Sequence, residues 1–101
     1  MAAANRLKIM LSIMRELNDG NNVTASNYGI DTDTFCQIIE SCQDKGYIAG
    51  AVIQRAWGGK VVYHSLTNAR LTVDGMEYLH EKSPLMQGYR GLKEFREWLP
   101  F

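Results

Sequence analysis

Apolar residues at Leu7, Met10, Leu11, Met14 and Leu17 recur at the spacing of one helical face and predict a helix over residues 5–17. Ile9 and Ile13 widen the stripe on one flank, so this helix is expected to be covered on two sides, by the domain core and by something else. Asn18-Asp19-Gly20-Asn21-Asn22 then stops it with residues that accept left-handed backbone. Residues 23–30 have room only for a short helical turn, Ala25 to Tyr28, after a Thr24 cap and before Gly29. Asp31 or Thr32 caps a third helix that reaches about Lys45, with Phe35, Ile38, Ile39 and Cys42 on its inward face and Gly46 as its terminator.

After Gly46 the period becomes that of strands. Tyr47 to Gln54 and Val61 to Leu66 are rich in Val, Ile and Tyr, and Gly58-Gly59 between them predicts a β-hairpin with Trp57 and Lys60 at its tip. Thr72 is the expected N-cap of a fourth helix ending at residues 81–83. Asp74 lies in its first turn, and Leu71 and Met76 stand at the positions of a hydrophobic staple. Pro84 separates this helix from an additional C-terminal helix over residues 84–101, where Leu92, Phe95 and Leu99 share a stripe flanked by Trp98. Gly88 and Gly91 on the same side permit close approach to another helix. Residues 1–4 are expected to be disordered. The order α-α-α-β-β-α with an additional C-terminal helix is that of an α+β winged helix-turn-helix, a single domain over residues 1–101.

Particular stretches carry a resemblance. Lys45-Gly46-Tyr47-Ile48, a hairpin, and then Leu71-Thr72-x-x-Gly75-x-x-Tyr78-Leu79 form a pattern shared by many bacterial winged-helix proteins. Together with Tyr28-Gly29-Ile30, Gly46-Tyr47-Ile48-Ala49-Gly50 and a last helix from Gly88-Tyr89 to Trp98, the chain resembles the YjcQ-like family of small bacterial and prophage-associated proteins, from about Leu7 to Trp98. The resemblance implies the fold. It carries no established activity, so it implies no catalytic or binding residue.

Charge changes what the fold suggests. The formal net charge is zero, whereas nucleic-acid-binding domains of this size usually carry a positive excess. The total conceals a dipolar distribution: residues 46–73 carry Arg55, Lys60 and Arg70 with no acid, a charge of +3, and residues 31–45 sum to −3. On the third helix, the face opposite the apolar stripe presents Asp33, Gln37, Glu40 and Asp44, which a phosphate backbone would repel. Major-groove reading by that helix is therefore disfavoured. A DNA contact would instead use the basic wing, with Arg55, Trp57, Lys60 and Arg70 as candidate nucleic-acid-binding residues. For Trp57 the plainer expectation is that the indole folds back onto the wing. The alternative class is a protein-interaction or dimerisation module. There the acidic helix of one copy meets the basic wing of another, and Tyr89, Phe95, Trp98 and Phe101 are the candidate interface, with Trp98 and Phe101 expected to stay partly exposed.

Other classes find little support. Asp33, Glu40, His64, His80 and Glu81 form no paired constellation, and no nucleophile elbow, phosphate loop or dinucleotide fingerprint is present. A non-enzymatic binding module without cofactor or metal is expected. Cys36 and Cys42, about 9 Å apart along a helix, are too distant for a disulfide, and free thiols suit a reducing cytoplasm. The apolar run at residues 9–14 is interrupted by Ser12 and is too short to span a bilayer.

Overall fold

The computed structural model of the protein describes residues 3–98. Helix α1 (Ala3–Asn18) begins within the stretch expected to be disordered: Ala3 and Ala4 are helical, and residues 1–2 lie outside the described residues. Its end is a Schellman arrangement, with Gly20 at φ +82°, the Gly20 N–H on the Leu17 carbonyl and the Asn21 N–H on that of Glu16. Ile9, Leu11, Ile13, Met14 and Leu17 are all buried, and so are Ser12 and Glu16. The helix is covered on two sides, as its wide apolar arc predicts, and the second cover is the chain's own residues 83–98.

A single 3₁₀ turn, Ala25–Tyr28, leads from Thr24 to Gly29, which takes φ +67°. Helix α2 (Thr32–Asp44) is capped by Asp31, whose side chain accepts from the Thr34 N–H and hydroxyl. Phe35, Cys36, Ile38, Ile39 and Cys42 form its buried face, one residue more than the inward stripe predicted.

The hairpin is longer and more broken than expected. Strand β1 (Ile48–Ala49) pairs antiparallel with β4 (Arg70–Leu71), and β2 (Val52–Arg55) pairs antiparallel with β3 (Val61–Ser65), making two small ladders on one pair of arms. Gly50 explains the break. It takes φ +88°, and a Cβ there would lie 2.1 Å from the Asn68 carbonyl oxygen, so the second arm crosses against bare backbone. A register shift between Gln54 and Arg55 bends the outer ladder towards its tip.

Helix α3 (Val73–Glu81) is fastened to the base of the hairpin through Thr72. The Thr72 hydroxyl accepts from the Gly75 N–H at 3.0 Å and donates to the Gly46 carbonyl, while the Thr72 N–H donates to the Tyr47 carbonyl at 3.0 Å. Of the staple pair, Leu71 is buried and Met76 remains largely exposed.

The single C-terminal helix expected over residues 84–101 does not form. Ser83–Met86 and Leu92–Glu94 are 3₁₀ turns, followed by one helical turn, α4 (Phe95–Trp98). Between them Gly88 and Gly91 take φ +84° and +109°, which no continuous right-handed helix accommodates. Leu99, Pro100 and Phe101 lie outside the described residues. The result is an α+β chain whose core is built from α1, α2, the base of the hairpin and Met86, Phe95 and Trp98. No described helix is long and apolar enough to cross a membrane.

Candidate interaction surfaces

The opposite charges of α2 and the wing meet within one molecule. Arg55, at the outer end of β2, places NH2 2.5 Å from Glu40 Oε1, Nε 3.1 Å from Glu40 Oε2, and NH1 2.8 Å from Asp33 Oδ1. NH1 also donates to the Gly59 carbonyl, so one guanidinium joins the hairpin tip to two turns of α2. The hydrogen bond to Glu40, then that to Asp33, raise the Arg55 pKa above its ordinary value. This corrects two expectations. Arg55 is not a free cation for a phosphate backbone, and two carboxylates of the acidic helix, Asp33 and Glu40, already have a basic partner in their own wing. Gln37 is engaged as well, accepting from Arg6 NH2 at 3.0 Å and donating to Asp33 at 2.9 Å.

The other wing residues are not gathered into a patch. Lys60 is exposed beside the tip, while Arg70 is exposed in β4 at the base, where Ala49 is its partner. Trp57 opens the 3₁₀ turn at the tip and is fully exposed (103%), so the indole does not fold back onto the wing. Val62 (61%) and Tyr63 (52%) of β3 are also open to solvent. The outer hairpin is therefore an apolar, aromatic projection with Lys60 at its end.

The aromatic cluster assigned to an interface faces the other way. Trp98 is only 8% exposed, against the expectation that it stays open, and Phe95 is buried as well. Trp98 meets Tyr89 edge to face at 4.9 Å and lies under the Lys8 ammonium, 4.7 Å from its ring centroid. Phe95 meets Tyr28 edge to face at 5.2 Å. A small core needs apolar cover for the second flank of α1, and these residues supply it. Phe101, the fourth candidate, lies outside the described residues.

A buried polar chain pins the same segment. Tyr28 OH and Ser12 Oγ are 3.0 Å apart, Ser12 Oγ and Tyr89 OH 2.6 Å, and Tyr89 OH donates to Glu16 Oε2 at 2.6 Å. Asn21 completes it by donating to Glu16 Oε1 at 3.0 Å. Helical spacing alone does not predict this network; its signal in the sequence is Ser12 and Glu16, one helical turn apart inside an apolar arc. Burial pushes the Tyr28 and Tyr89 hydroxyls well above the usual tyrosine range, and the bond to Glu16 adds to the rise at Tyr89.

Cys36 and Cys42 are free and buried. Burial pushes the Cys42 thiol from 9.0 up to about 12 and raises that of Cys36. Because the folded chain holds these protons more tightly than the unfolded one, stability is fully present below pH about 9 and falls as pH rises above it. Each group that titrates only in the unfolded chain contributes a slope of about 1.4 kcal/mol per pH unit. Urea unfolding at a series of alkaline pH values is expected to show this decline, with Cys42→Ala making it shallower. A flat profile to pH 11 would contradict the burial of these groups.

No group of three or more His, Cys, Asp or Glu side chains positioned to hold a metal occurs among the described residues. Residues 7–98 match the family described as YjcQ protein. "Uncharacterized protein YjcQ" of Bacillus subtilis (strain 168) is 25% identical over 96 residues, which cover 94% of this chain and 98% of that protein. No solved structure matches the chain. Since the family match extends from the apolar stripe of α1 to Trp98, the chain belongs to the YjcQ family.

Proposed function

We propose that the chain is a non-enzymatic winged-helix binding module of the cytoplasm that holds a protein partner through its hairpin instead of reading DNA with its third helix. The winged-helix reading rests on the order of helix, turn, helix, hairpin and helix, with α2 in the place of the reading helix. The observation that carries the function is Trp57, wholly exposed on a projection fixed to α2 by Arg55. An exposed tryptophan on a rigid support is the kind of anchor that dominates binding energy when a partner pocket closes over it. Val62 and Tyr63 are further exposed apolar side chains of the same hairpin.

Nucleic acid is the second reading, favoured by the same indole as a stacking surface beside Lys60. Charge counts against it. With Arg55 neutralised by Glu40 and Asp33, the wing offers Lys60 and Arg70 at opposite ends, while α2 keeps its carboxylates. Few phosphate contacts mean little counterion release and weak binding.

A photo-crosslinking amino acid at position 57, introduced in cells of the native host, separates the two. A discrete protein adduct is expected, absent when the crosslinker is placed at position 81 on α3. Trp57→Ala is expected to weaken that complex by about 2 kcal/mol, the scale of an interface hot spot. Titration of random duplex DNA at low salt is expected to show no binding that Lys60→Glu diminishes. A nucleic-acid adduct at position 57, or DNA affinity lost with Lys60→Glu, would sink the protein-partner reading.

A further inference from the structure

The outward face of α2 forms the floor of an open groove of ≈ 910 Å³, with Arg6 of α1 on one side and residues 51–53 on the other. The second side is a strand edge. Ala51 sends its N–H away from β3, donating to Gln43 Oε1 on α2 at 3.1 Å. Ala56 sends its N–H the opposite way, across the hairpin to the Lys60 carbonyl. Backbone direction alternates along a strand, so the Ile53 N–H and carbonyl point with Ala51, towards the groove. Among the described residues β2 pairs only with β3, and that edge has no strand beside it.

Two further features restrict what fits. Asp44 stands on the groove floor with no ion-pair partner among the described residues, whereas Glu40 is already held by Arg55. Beyond Arg6 and Ser41, which the two share, the groove opens into an apolar cavity of ≈ 230 Å³ lined by Leu7, Met10 and Ile38.

We propose that this groove takes an extended segment of a partner protein as an added strand on β2, with one Lys or Arg of the segment at Asp44 and one aliphatic side chain in the Leu7–Met10–Ile38 cavity. Main-chain pairing to a sheet edge supplies affinity, and the alternating side chains supply selectivity. Asp44 sets the sign of the preference at its own end of the groove, while Arg6 on the other wall is turned to Gln37 at 3.0 Å. The assignment rests on the protein-partner reading above and names a second contact for it, on the other side of β2 from the exposed residues of β3.

The test uses the full chain and labelled peptides of Val, Ile and Thr that carry one lysine, with two sets of counterparts. In one set glutamate replaces lysine, and in the other alternate amides are N-methylated. Lysine peptides are expected to bind and to slow hydrogen exchange at the Ile53 amide, and N-methylation of the pairing edge to abolish both effects. Asp44→Lys, an exposed change, is expected to lower affinity for lysine peptides about tenfold and to make the glutamate counterparts the better ligands. Equal binding of both charges, binding with Ile53 exchange unchanged, or no binding overturns the groove assignment. So does a concentration-dependent dimer in sedimentation that protects the Ile53 amide by itself, because the occupant would then be a second copy. The position-57 adduct is read separately. If it persists while the peptides fail, the groove is wrong and the hairpin reading stands.

Discussion

Gly75→Ala is expected to leave the chain unable to hold its native structure, or to lower its stability by about 3 kcal/mol or more. Alanine normally improves a helix interior by about 1 kcal/mol over glycine, so the predicted sign is the opposite of the local propensity. The reason is distance. A Cβ on Gly75 would lie 2.1 Å from the Tyr47 carbonyl oxygen, 2.9 Å from its carbon and 3.1 Å from its Cα. These are backbone atoms, and they cannot swing aside. The Tyr47 carbonyl accepts from the Thr72 N–H, and the Tyr47 ring stacks on Tyr78 of α3 at 4.4 Å. Any shift that makes room therefore disturbs the α3 cap and the Tyr47–Tyr78 pair together. Gly20→Ala is the control. Its site is open, and only left-handed strain of about 1 kcal/mol is at stake. Urea denaturation of both variants decides the matter: Gly75→Ala as stable as the parent would mean that α3 does not press on the start of the hairpin.

Trp98→Ala is expected to cost about 3–5 kcal/mol of stability and to leave sedimentation unchanged. On the reading that places Trp98 at an exposed interface, the same substitution would weaken association and spare the fold. The two outcomes are opposite, and the burial of the ring selects the first. Truncation removes the edge-to-face contact with Tyr89 and the Lys8 ammonium's ring, and it opens a void against α1. Trp98→Phe is expected to be much milder. It keeps an aromatic ring and deletes an indole N–H that is buried without a partner among the described residues. A dimer broken by Trp98→Ala at unchanged thermal stability would overturn the inward assignment.

Local chemistry makes the helix ends readable. Asp31, Thr24, Thr72 and the glycines at 20, 29 and 46 act through neighbours within four or five residues, so the ends of α1, α2 and α3 fall close to where spacing places them. Tertiary contacts were another matter. Helical periodicity beyond Leu85 was a weak guide because Gly88 and Gly91 act as left-handed corners rather than as smooth spots on a helix. The split of the hairpin at Gly50 depends on the Asn68 carbonyl crossing it, and no property of residue 50 alone announces that.

The surfaces were legible in charge and not in pairing. Segment sums identified an acidic α2 and a basic wing as complementary, but a sum does not say whether opposite charges meet within one chain or between two. The geometry of Arg55, Asp33 and Glu40 answers that for one of the three cations. Trp57 was placed at the tip from Gly58-Gly59, while its exposure depends on the absence of any neighbour to receive it, which only coordinates reveal.

The chain from Tyr28 through Ser12 and Tyr89 to Glu16 has a consequence for how the protein is made. Ser12 and Tyr89 are 77 positions apart, and Lys8 and Trp98 are 90 apart. Helix α1 leaves the ribosome ahead of residues 83–98, and its second flank stays uncovered until they have also been translated. At bacterial-type elongation rates of about 5–20 residues per second, several seconds pass between the two events. During that interval a wide apolar helix, with a carboxylate and a hydroxyl set into it, is open to solvent. The nascent chain is thus a natural client for chaperones. A translational stall before Tyr89 prolongs that exposure, and one at the hairpin tip leaves α1 without β4 and α3 as well.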